Sequence, residues 1–247
     1  MINIEDKHIR EAESLLIDGD KFEEKERIPF IKQLNSCDLL AVPGSGKTTA
    51  LLAKLYCLSK QLPFADGSGI LVLSHTNAAV NEIEDKLKKV VPNLFEYPNF
   101  VGTVQSFINK FLALPYYNMK YDSNVRVDDV TYYQEIENIL QFQRKGTIAY
   151  FKNKNKAIFF NARYWFDEEG NTIISDGVSN EKLKLNIPKK WKKEGTAEHK
   201  ERKIYDFIFK TKKSLIEKGI LHYDDCYYIA NKHIDKHSLI KKILQKR

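Results

Sequence analysis

Residues 41–48 carry the side chains best suited to chemistry in this chain: Ala41-Val42-Pro43-Gly44-Ser45-Gly46-Lys47-Thr48. They follow the short apolar run Leu39–Val42 and precede residues 49–55, which have the composition of a helix. Glycines between a strand and a helix let backbone N–H groups turn towards an anion, and the positive end of the new helix points the same way. The sequence therefore predicts a phosphate-binding loop.

Within this loop, Lys47 is expected to reach the β- and γ-phosphates of ATP, and the Thr48 hydroxyl to ligate Mg²⁺. A Gly-x-Gly sequence without the following Lys-Thr pair would be read as a turn and nothing more. The full loop pattern begins with glycine, whereas this chain has alanine at position 41. The predicted nucleotide contacts are Ala41, Val42, Pro43, Gly44, Ser45, Gly46, Lys47, Thr48 and Thr49, with Thr48 as the metal ligand.

Composition limits the class of protein. The chain has 247 residues, of which 43% are hydrophobic and 30% charged, an ordinary balance for a globular protein. Its formal net charge of +7 favours a polyanionic partner. The three cysteines, Cys37, Cys57 and Cys226, are far apart and predict neither a disulfide framework nor a zinc cluster. No leader-like or membrane-length apolar stretch is visible, so a soluble, cytoplasmic protein is expected.

The first part of the chain has a repeating strand–helix pattern. After the loop, Gly69–Leu73 predicts a strand of the kind that parallel sheets bury on both faces, and Val80–Leu87 has helical spacing. Asn99–Thr103 predicts another strand, followed by apolar residues at helical spacing in 104–112. Three such units predict an α/β fold with a parallel sheet flanked by helices.

From about residue 116 the chain becomes aromatic and basic, and the strand–helix pattern stops. Val130–Phe142 predicts a helix, Lys156–Ser175 a hairpin turning at 169–171, and residues 204–215 a helix capped by Gly219. The last stretch, Tyr223–Arg247, again predicts helix. This middle region is interpreted as a mostly helical subdomain, containing a β-hairpin, inserted into the sheet domain.

Two polar blocks follow the predicted strands. Ser74–Ile83 follows one strand and Gly102–Phe107 the next, and ligands of open α/β sheets bind at the carboxyl ends of strands. Small hydroxyl and amide groups there can bind phosphate oxygens, although capping of the next helices is an equally natural role. The candidate DNA contacts are His75, Thr76, Asn77, Thr103, Gln105 and Ser106.

Together the three blocks resemble the amino-terminal part of superfamily 1 DNA helicases of the UvrD/Rep/PcrA type. The family's loop commonly begins with alanine, as it does here. Its second and third blocks also match this chain, except that His75, Ala78 and Gln105 replace the residues that are typical of the family. The resemblance implies a RecA-like P-loop NTPase fold that binds ATP, Mg²⁺ and single-stranded DNA. It implies a 1A-like core in residues 1–115, an inserted 1B-like subdomain in 116–218 and a return to the core in 219–247. Gln33 is the candidate for the family's adenine-binding glutamine.

The family's acidic Asp-Glu-x-x-Asp block and the arginines of its second motor domain have no equivalent in residues 1–247. The block would be expected just beyond the segment Gly219–Asp225, which resembles the sequence that precedes it in the family. We therefore expect half of a motor, truncated before that block, whose partner chain or carboxyl-terminal region supplies the rest. The alternatives are a non-catalytic ATP-binding subunit of a split helicase or phage-defence complex, and a P-loop kinase or small NTPase.

Three further features each have two interpretations. Residues 182–203, with nine basic and three acidic residues around Trp191, could follow a nucleic acid or be a solvated loop. His222–Cys226 could be a metal cluster, but a helix start with an aspartate cap is favoured. The tyrosine pairs could stack on bases or pack in the interior, and packing is expected for most: Tyr116-Tyr117, Tyr132-Tyr133 and Tyr227-Tyr228.

Overall fold

The computed structural model describes residues 2–40, 44–121, 124–177, 181–185 and 197–245. Contacts divide the chain into two compact units, Met1–Ser106 and Phe107–Arg247. The architecture is α/β, with many helices and three two-stranded sheets among the described residues. The assignment of 1–115, 116–218 and 219–247 to 1A-like and 1B-like segments stays a prediction, because it rests on the family resemblance and not on contacts.

The first unit contains helices and one parallel pair of strands. Its elements are α1 (Asp6–Leu16), α2 (Arg27–Lys32), α3 (Lys47–Ser59), β1 (Leu71–Ser74), α4 (Asn77–Leu87), a 3₁₀ turn (Pro92–Phe95) and β2 (Phe100–Thr103). A further helix, α5 (Val104–Ile108), begins directly after β2. The strands and helices predicted around residues 69–73, 80–87, 99–103 and 104–112 are therefore present.

β1 and β2 are parallel neighbours, with Leu71 opposite Phe100 and Ser74 opposite Thr103. The expectation that β1 is buried on both faces is wrong for the described chain, since Leu71 is 53% and Leu73 42% exposed. The predicted strand at 39–42 is not seen at Leu39 and Leu40, and its remaining residues lie outside the described ranges.

The core of the first unit lies between its helices. Ile9 and Ala12 of α1 pack with Leu52 and Ala53 of α3, and these residues are all almost fully buried. Apolar side chains at i, i+1, i+3 and i+4 along α3 bury more than one face of the helix, which fits a helix with neighbours on several sides. This packing fixes the orientation of α3, which starts directly after the glycine loop.

The second unit is mainly helical. After α5 come a π-helical turn (Asn109–Ala113) and α6 (Leu114–Lys120), followed by β3 (Arg126–Val127), α7 (Asp129–Gln141), α8 (Gly146–Lys154) and α9 (Ala157–Asn161). The remaining elements are β4 (Arg163–Phe166), β5 (Thr172–Ser175), α10 (Ala197–Glu217), β6 (Ile220–Leu221), α11 (Tyr223–Lys236) and α12 (Ser238–Gln245). β3 pairs with β6 in parallel.

The predicted hairpin is confirmed but shorter than expected. β4 and β5 pair antiparallel between Arg163 and Ser175, and their turn has Gly170 at φ +81°. Residues 157–161, predicted as the start of the hairpin, form helix α9 instead. The predicted glycine cap of α10 is present, because Gly219 at φ +78° donates its N–H to the Ile216 carbonyl. No helix in the described ranges is long and apolar enough to span a bilayer.

Candidate functional site

The glycine loop has the backbone conformation that its sequence requires. Gly44 and Gly46 have φ values of +80° and +76°, a left-handed region that side chains with a Cβ adopt at a cost. Gly46 is the N-cap residue of α3, and among the described residues no side-chain cap of this helix end is found. Ala41, Val42 and Pro43, also predicted to contact the nucleotide, lie outside the described residues.

An uncapped helix start leaves the first N–H groups of α3 without intrahelical acceptors. These donors and the positive end of the helix dipole favour an anion at this point. Ser45 adds another unused group: its Oγ is buried and has no hydrogen-bond partner among the described residues. The loop therefore has several donors that an anion could satisfy.

The predicted reactive side chains stand in the first turn of α3. Lys47 is the first helical residue and is half-buried, Thr48 is exposed and Thr49 is half-buried. All three precede Ala50, which is fully buried and anchors this turn in the core. The structure thus holds Lys47 and Thr48 at a fixed helix start next to the glycine loop.

Arg27 is a residue of this region that sequence reasoning missed. It starts α2, and its guanidinium Nη2 donates a hydrogen bond to the backbone carbonyl of Ser45. No local sequence pattern distinguishes this arginine from the charged residues around it. The contact places a positive charge beside the loop and ties the loop to α2.

Gln33, the candidate adenine contact, follows the end of α2 and is exposed. Its side-chain oxygen accepts a hydrogen bond from the Asn35 N–H at 3.3 Å. Its backbone carbonyl accepts one from Lys54 Nζ, which also binds the Phe30 carbonyl at 3.2 Å. Burial lowers the pKa of Lys54. Because Lys54 is two turns after Lys47, about 10 Å along the axis, Gln33 is held next to the helix that carries the reactive residues.

The second block forms the connection from β1 to α4. Thr76 is the N-cap of α4, with Oγ1 accepting a hydrogen bond from the Ala79 N–H at 3.3 Å. Its own N–H donates to Ser74 Oγ at 3.2 Å. His75 and Asn77 on either side are exposed. The expected capping role of Thr76 is confirmed, and the neighbouring side chains face solvent.

The third block forms the connection from β2 to α5. Thr103 Oγ1 accepts a hydrogen bond from the Ser106 N–H at 3.1 Å, and Ser106 Oγ donates to the Thr103 carbonyl at 2.8 Å. Gln105 between them is half-buried. A Cβ at Gly102 would lie 2.8 Å from both Phe100 Cζ and Ser106 Oγ, so a larger residue here would require these two side chains to move. Ser106 therefore packs close against the strand.

Strand register brings these two blocks together. Ser74 and Thr103 are opposite one another at the carboxyl ends of parallel strands, so both blocks leave the sheet at the same edge. The described residues of the glycine loop belong to the same unit, and α3 packs against α4. The first unit therefore contains both the start of α3 behind the glycine loop and a row of hydroxyl, amide and imidazole groups at one strand edge.

The described acidic residues of the second unit that the sequence singled out lie in a turn and at a helix start. Asp167 lies in the hairpin turn, where a hydrogen bond from the Asn171 N–H at 2.7 Å lowers the pKa of its carboxyl group. His222–Cys226 is a helix start, as favoured, but the N-cap of α11 is His222 and not an aspartate, with Asp225 completing a capping box from the third helical position. The described residues contain no group of three or more potential metal ligands.

Around this helix start the second unit has a buried polar network. Lys212 Nζ is 2.6 Å from Asp225 Oδ1 and 2.9 Å from the Tyr132 hydroxyl, and both charged side chains are almost fully buried. Arg163 Nε donates to Asp224 Oδ2 at 3.0 Å. A hydrogen bond with His222, and then one from Arg163, lowers the pKa of Asp224 to about 2. The network joins α7, β4, α10 and α11, so its role is structural.

Comparison with known families identifies the class of protein. A family model described as UvrD/REP helicase N-terminal domain matches residues 23–247. The match includes the glycine loop and both strand-end blocks, and it confirms the resemblance to UvrD-type helicases. The chain belongs to the UvrD/REP helicase N-terminal domain family. Comparisons with curated proteins and with solved structures find no match.

Proposed function

We propose that this chain is the ATP-binding part of a UvrD-like DNA helicase and that it binds ATP·Mg²⁺ and single-stranded DNA. The observation that carries the proposal is the uncapped start of α3 behind two left-handed glycines, with Lys47 and Thr48 in its first turn. Membership of the helicase family supports a nucleotide as the anion. The RecA-like form of the sheet is part of this proposal.

The nucleotide is proposed to bind through the loop backbone and the first turn of α3. The donors are the N–H groups of this turn, the Lys47 ammonium group and the Ser45 hydroxyl, which has no partner within the described ranges, and together they suit a triphosphate tail. Thr48, being exposed, can offer its hydroxyl to Mg²⁺. Gln33 is proposed to contact adenine. Bound ATP·Mg²⁺ would supply the phosphoryl chemistry, and these residues would position it.

Single-stranded DNA is proposed to lie along the edge where β1 and β2 end. His75 offers an exposed ring for stacking, and Asn77 and Ser106 offer exposed polar groups for phosphates. Thr76, Thr103 and Gln105 complete this predicted track. Because Thr76 and Thr103 also cap helices, movement of α4 or α5 would move the DNA contacts with it.

Residues 1–247 contain no Asp-Glu-x-x-Asp sequence. We therefore propose that the chain as printed binds ATP without appreciable turnover, and that another segment or chain completes the motor. The same observation favours the second candidate, a non-catalytic ATP-binding subunit of a split helicase. Co-purification of a chain that carries the acidic block would favour this candidate.

The test is a titration of fluorescently labelled single-stranded DNA, with and without a non-hydrolysable ATP analogue. We expect DNA binding that responds to the analogue, and weaker binding by His75→Ala and Asn77→Ala. Lys7→Ala, on the exposed side of α1, is the control. A P-loop kinase would be indifferent to DNA, and equal affinities for all variants would refute the proposed track.

A further inference from the structure

The second unit contains a pocket of about 280 Å³ that lies outside both proposed binding sites. Helices α6, α10 and α11 and the hairpin β4–β5 form its walls. Five tyrosines and three lysines are among its lining residues. Its volume is close to the lower end of the ~300–1,000 Å³ range of small-molecule sites, which suits one ring system rather than several.

The aromatic wall of this pocket is held rigidly. Tyr164 donates its hydroxyl hydrogen to the Phe209 carbonyl at 2.6 Å, and the Tyr228 hydroxyl lies 2.7 Å from Thr172 Oγ1. The Tyr164 and Tyr228 ring centroids are 5.3 Å apart. Because these hydroxyls bind the protein itself and both side chains are almost fully buried, Tyr164 and Tyr228 shape the pocket wall, and the half-buried Tyr121 offers the more accessible ring.

Two lysines bring positive charge to the same pocket. Lys232 Nζ lies 4.9 Å from the centroid of the Tyr228 ring, and Lys120 Nζ lies 5.1 Å from that of Tyr121. Burial, and then the positive charge of Lys120, lower the pKa of Lys232. In the described ranges no ion pair with a carboxylate is found for either ammonium group, whereas Nζ of the third lysine of the pocket, Lys213, lies 3.7 Å from Glu217 Oε1. An anion between Lys120 and Lys232 would reduce the electrostatic repulsion between their two ammonium groups.

We propose that this pocket binds a nucleobase whose attached phosphate lies between Lys120 and Lys232. The half-buried ring of Tyr121 supplies a stacking surface for a base, and the two ammonium groups supply the charge that a phosphate needs. A free nucleotide and an unpaired nucleotide of a single strand share this chemistry. The site uses none of the residues of the glycine loop or of the strand-end track.

The experiment uses the full chain with Lys47→Ala as background, so that the glycine loop contributes little to nucleotide binding. The probes are dTMP, measured by calorimetry, and a fluorescein-labelled oligothymidylate, measured by anisotropy. The variants are Lys120→Ala and Lys232→Ala. Lys154→Ala, an exposed lysine at the end of α8, removes the same charge elsewhere in the same unit.

Each pocket variant is expected to weaken binding of at least one probe about 5- to 10-fold, whereas Lys154→Ala binds as the background does. For the oligonucleotide, the slope of log K against log salt should fall by about 0.7 for each lysine removed. Tyr121→Leu should weaken binding by a factor of about 5 or more, because base stacking is lost, and Tyr121→Phe should retain it. Thermal unfolding checks that every variant is folded.

The two probes distinguish the sources of the ligand. Loss of dTMP binding supports a free nucleotide, and loss of oligonucleotide binding alone supports an unpaired nucleotide of a strand. The proposal is overturned if neither probe binds the background, or if the pocket variants match Lys154→Ala in both affinity and salt slope. None of these outcomes depends on ATP binding by the glycine loop. The oligonucleotide can also bind the strand-end track, which is the same in every variant, so only the difference between the background and the pocket variants is assigned to the pocket.

Discussion

Arg27 donates a hydrogen bond from Nη2 to the backbone carbonyl of Ser45, which ties the start of α2 to the loop in front of α3. The contact holds a loop whose glycines have left-handed backbone conformations. It also places a guanidinium group beside the proposed position of a triphosphate. Arg27 therefore has two ways to influence nucleotide binding, one through geometry and one through charge.

Replacing Arg27 by methionine is expected to weaken binding of an ATP analogue about 10-fold, because a charge-assisted hydrogen bond contributes about 1.5–3 kcal/mol when intact. Arg27→Lys should recover part of the loss, since the ammonium group keeps the charge. Arg10→Met is the matched control, because Arg10 lies on the exposed side of α1. Fluorescence titration measures the affinities, and equal affinities for Arg27→Met and Arg10→Met would show that the contact has no role.

Gly46→Ala is expected to destabilise the first unit by about 1–2 kcal/mol, because alanine is strained in the left-handed region. Open space surrounds the position of the added Cβ, so any loss comes from the backbone and not from a clash. Gly46→Asn should cost less, since asparagine adopts this conformation more readily. Urea unfolding followed by circular dichroism measures the difference. A gain in stability with alanine would mean that Gly46 does not have a positive φ in solution.

Lys212→Met should destabilise the second unit by about 3–5 kcal/mol, because it leaves the Asp225 carboxylate buried without its partner. The double variant Lys212→Met/Asp225→Asn should be less destabilised than the single one, since no charge remains buried while the His222 N–H keeps an acceptor. Lys210→Met on the exposed side of α10 should change little. Denaturant unfolding tests this order, and a double variant that is the least stable of the three would contradict it.

Ionisation of Asp224 makes the free energy of unfolding depend on pH in acidic solution. Its pKa in the folded protein is about 2, against the ordinary value of 3.8, so ionised Asp224 stabilises the fold above about pH 4. This contribution is lost as the pH falls from about 4 to 2, when the carboxylate is protonated in the folded state as well. Asp224→Asn should therefore show a smaller fall in unfolding free energy across this window. Identical pH profiles for the two proteins would contradict the assignment.

Much of the first unit could be predicted because its signals are local. The aliphatic run around Leu71, the cap at Thr76 and the helical spacing after Thr103 each determine one element from a few neighbouring residues. The glycine loop is similar, since left-handed backbone and an uncapped helix start follow from the order of residues in 44–48. Local patterns therefore located the candidate residues.

Contacts between distant residues could not be predicted in this way. Arg27 and Ser45 are 18 residues apart, and Lys212 and Tyr132 are 80 apart, with no pattern linking either pair. The exposed face of β1 depends on which neighbours the strand has, not on its own aliphatic sequence. The tyrosine–lysine pocket likewise needs four elements to converge, so the tyrosine pairs alone could not indicate it.

The most direct test of the account is the affinity of residues 1–247 for a fluorescent ATP analogue, measured with Mg²⁺ for the unchanged chain and for Lys47→Ala. Lys7→Ala is the matched control, since it removes one exposed lysine from α1. We predict measurable binding that Lys47→Ala weakens at least about 10-fold, equivalent to about 1.4 kcal/mol, and that Lys7→Ala leaves unchanged. Equal affinities of the three proteins, or no binding by any of them, would contradict the claim that the start of α3 holds a nucleotide.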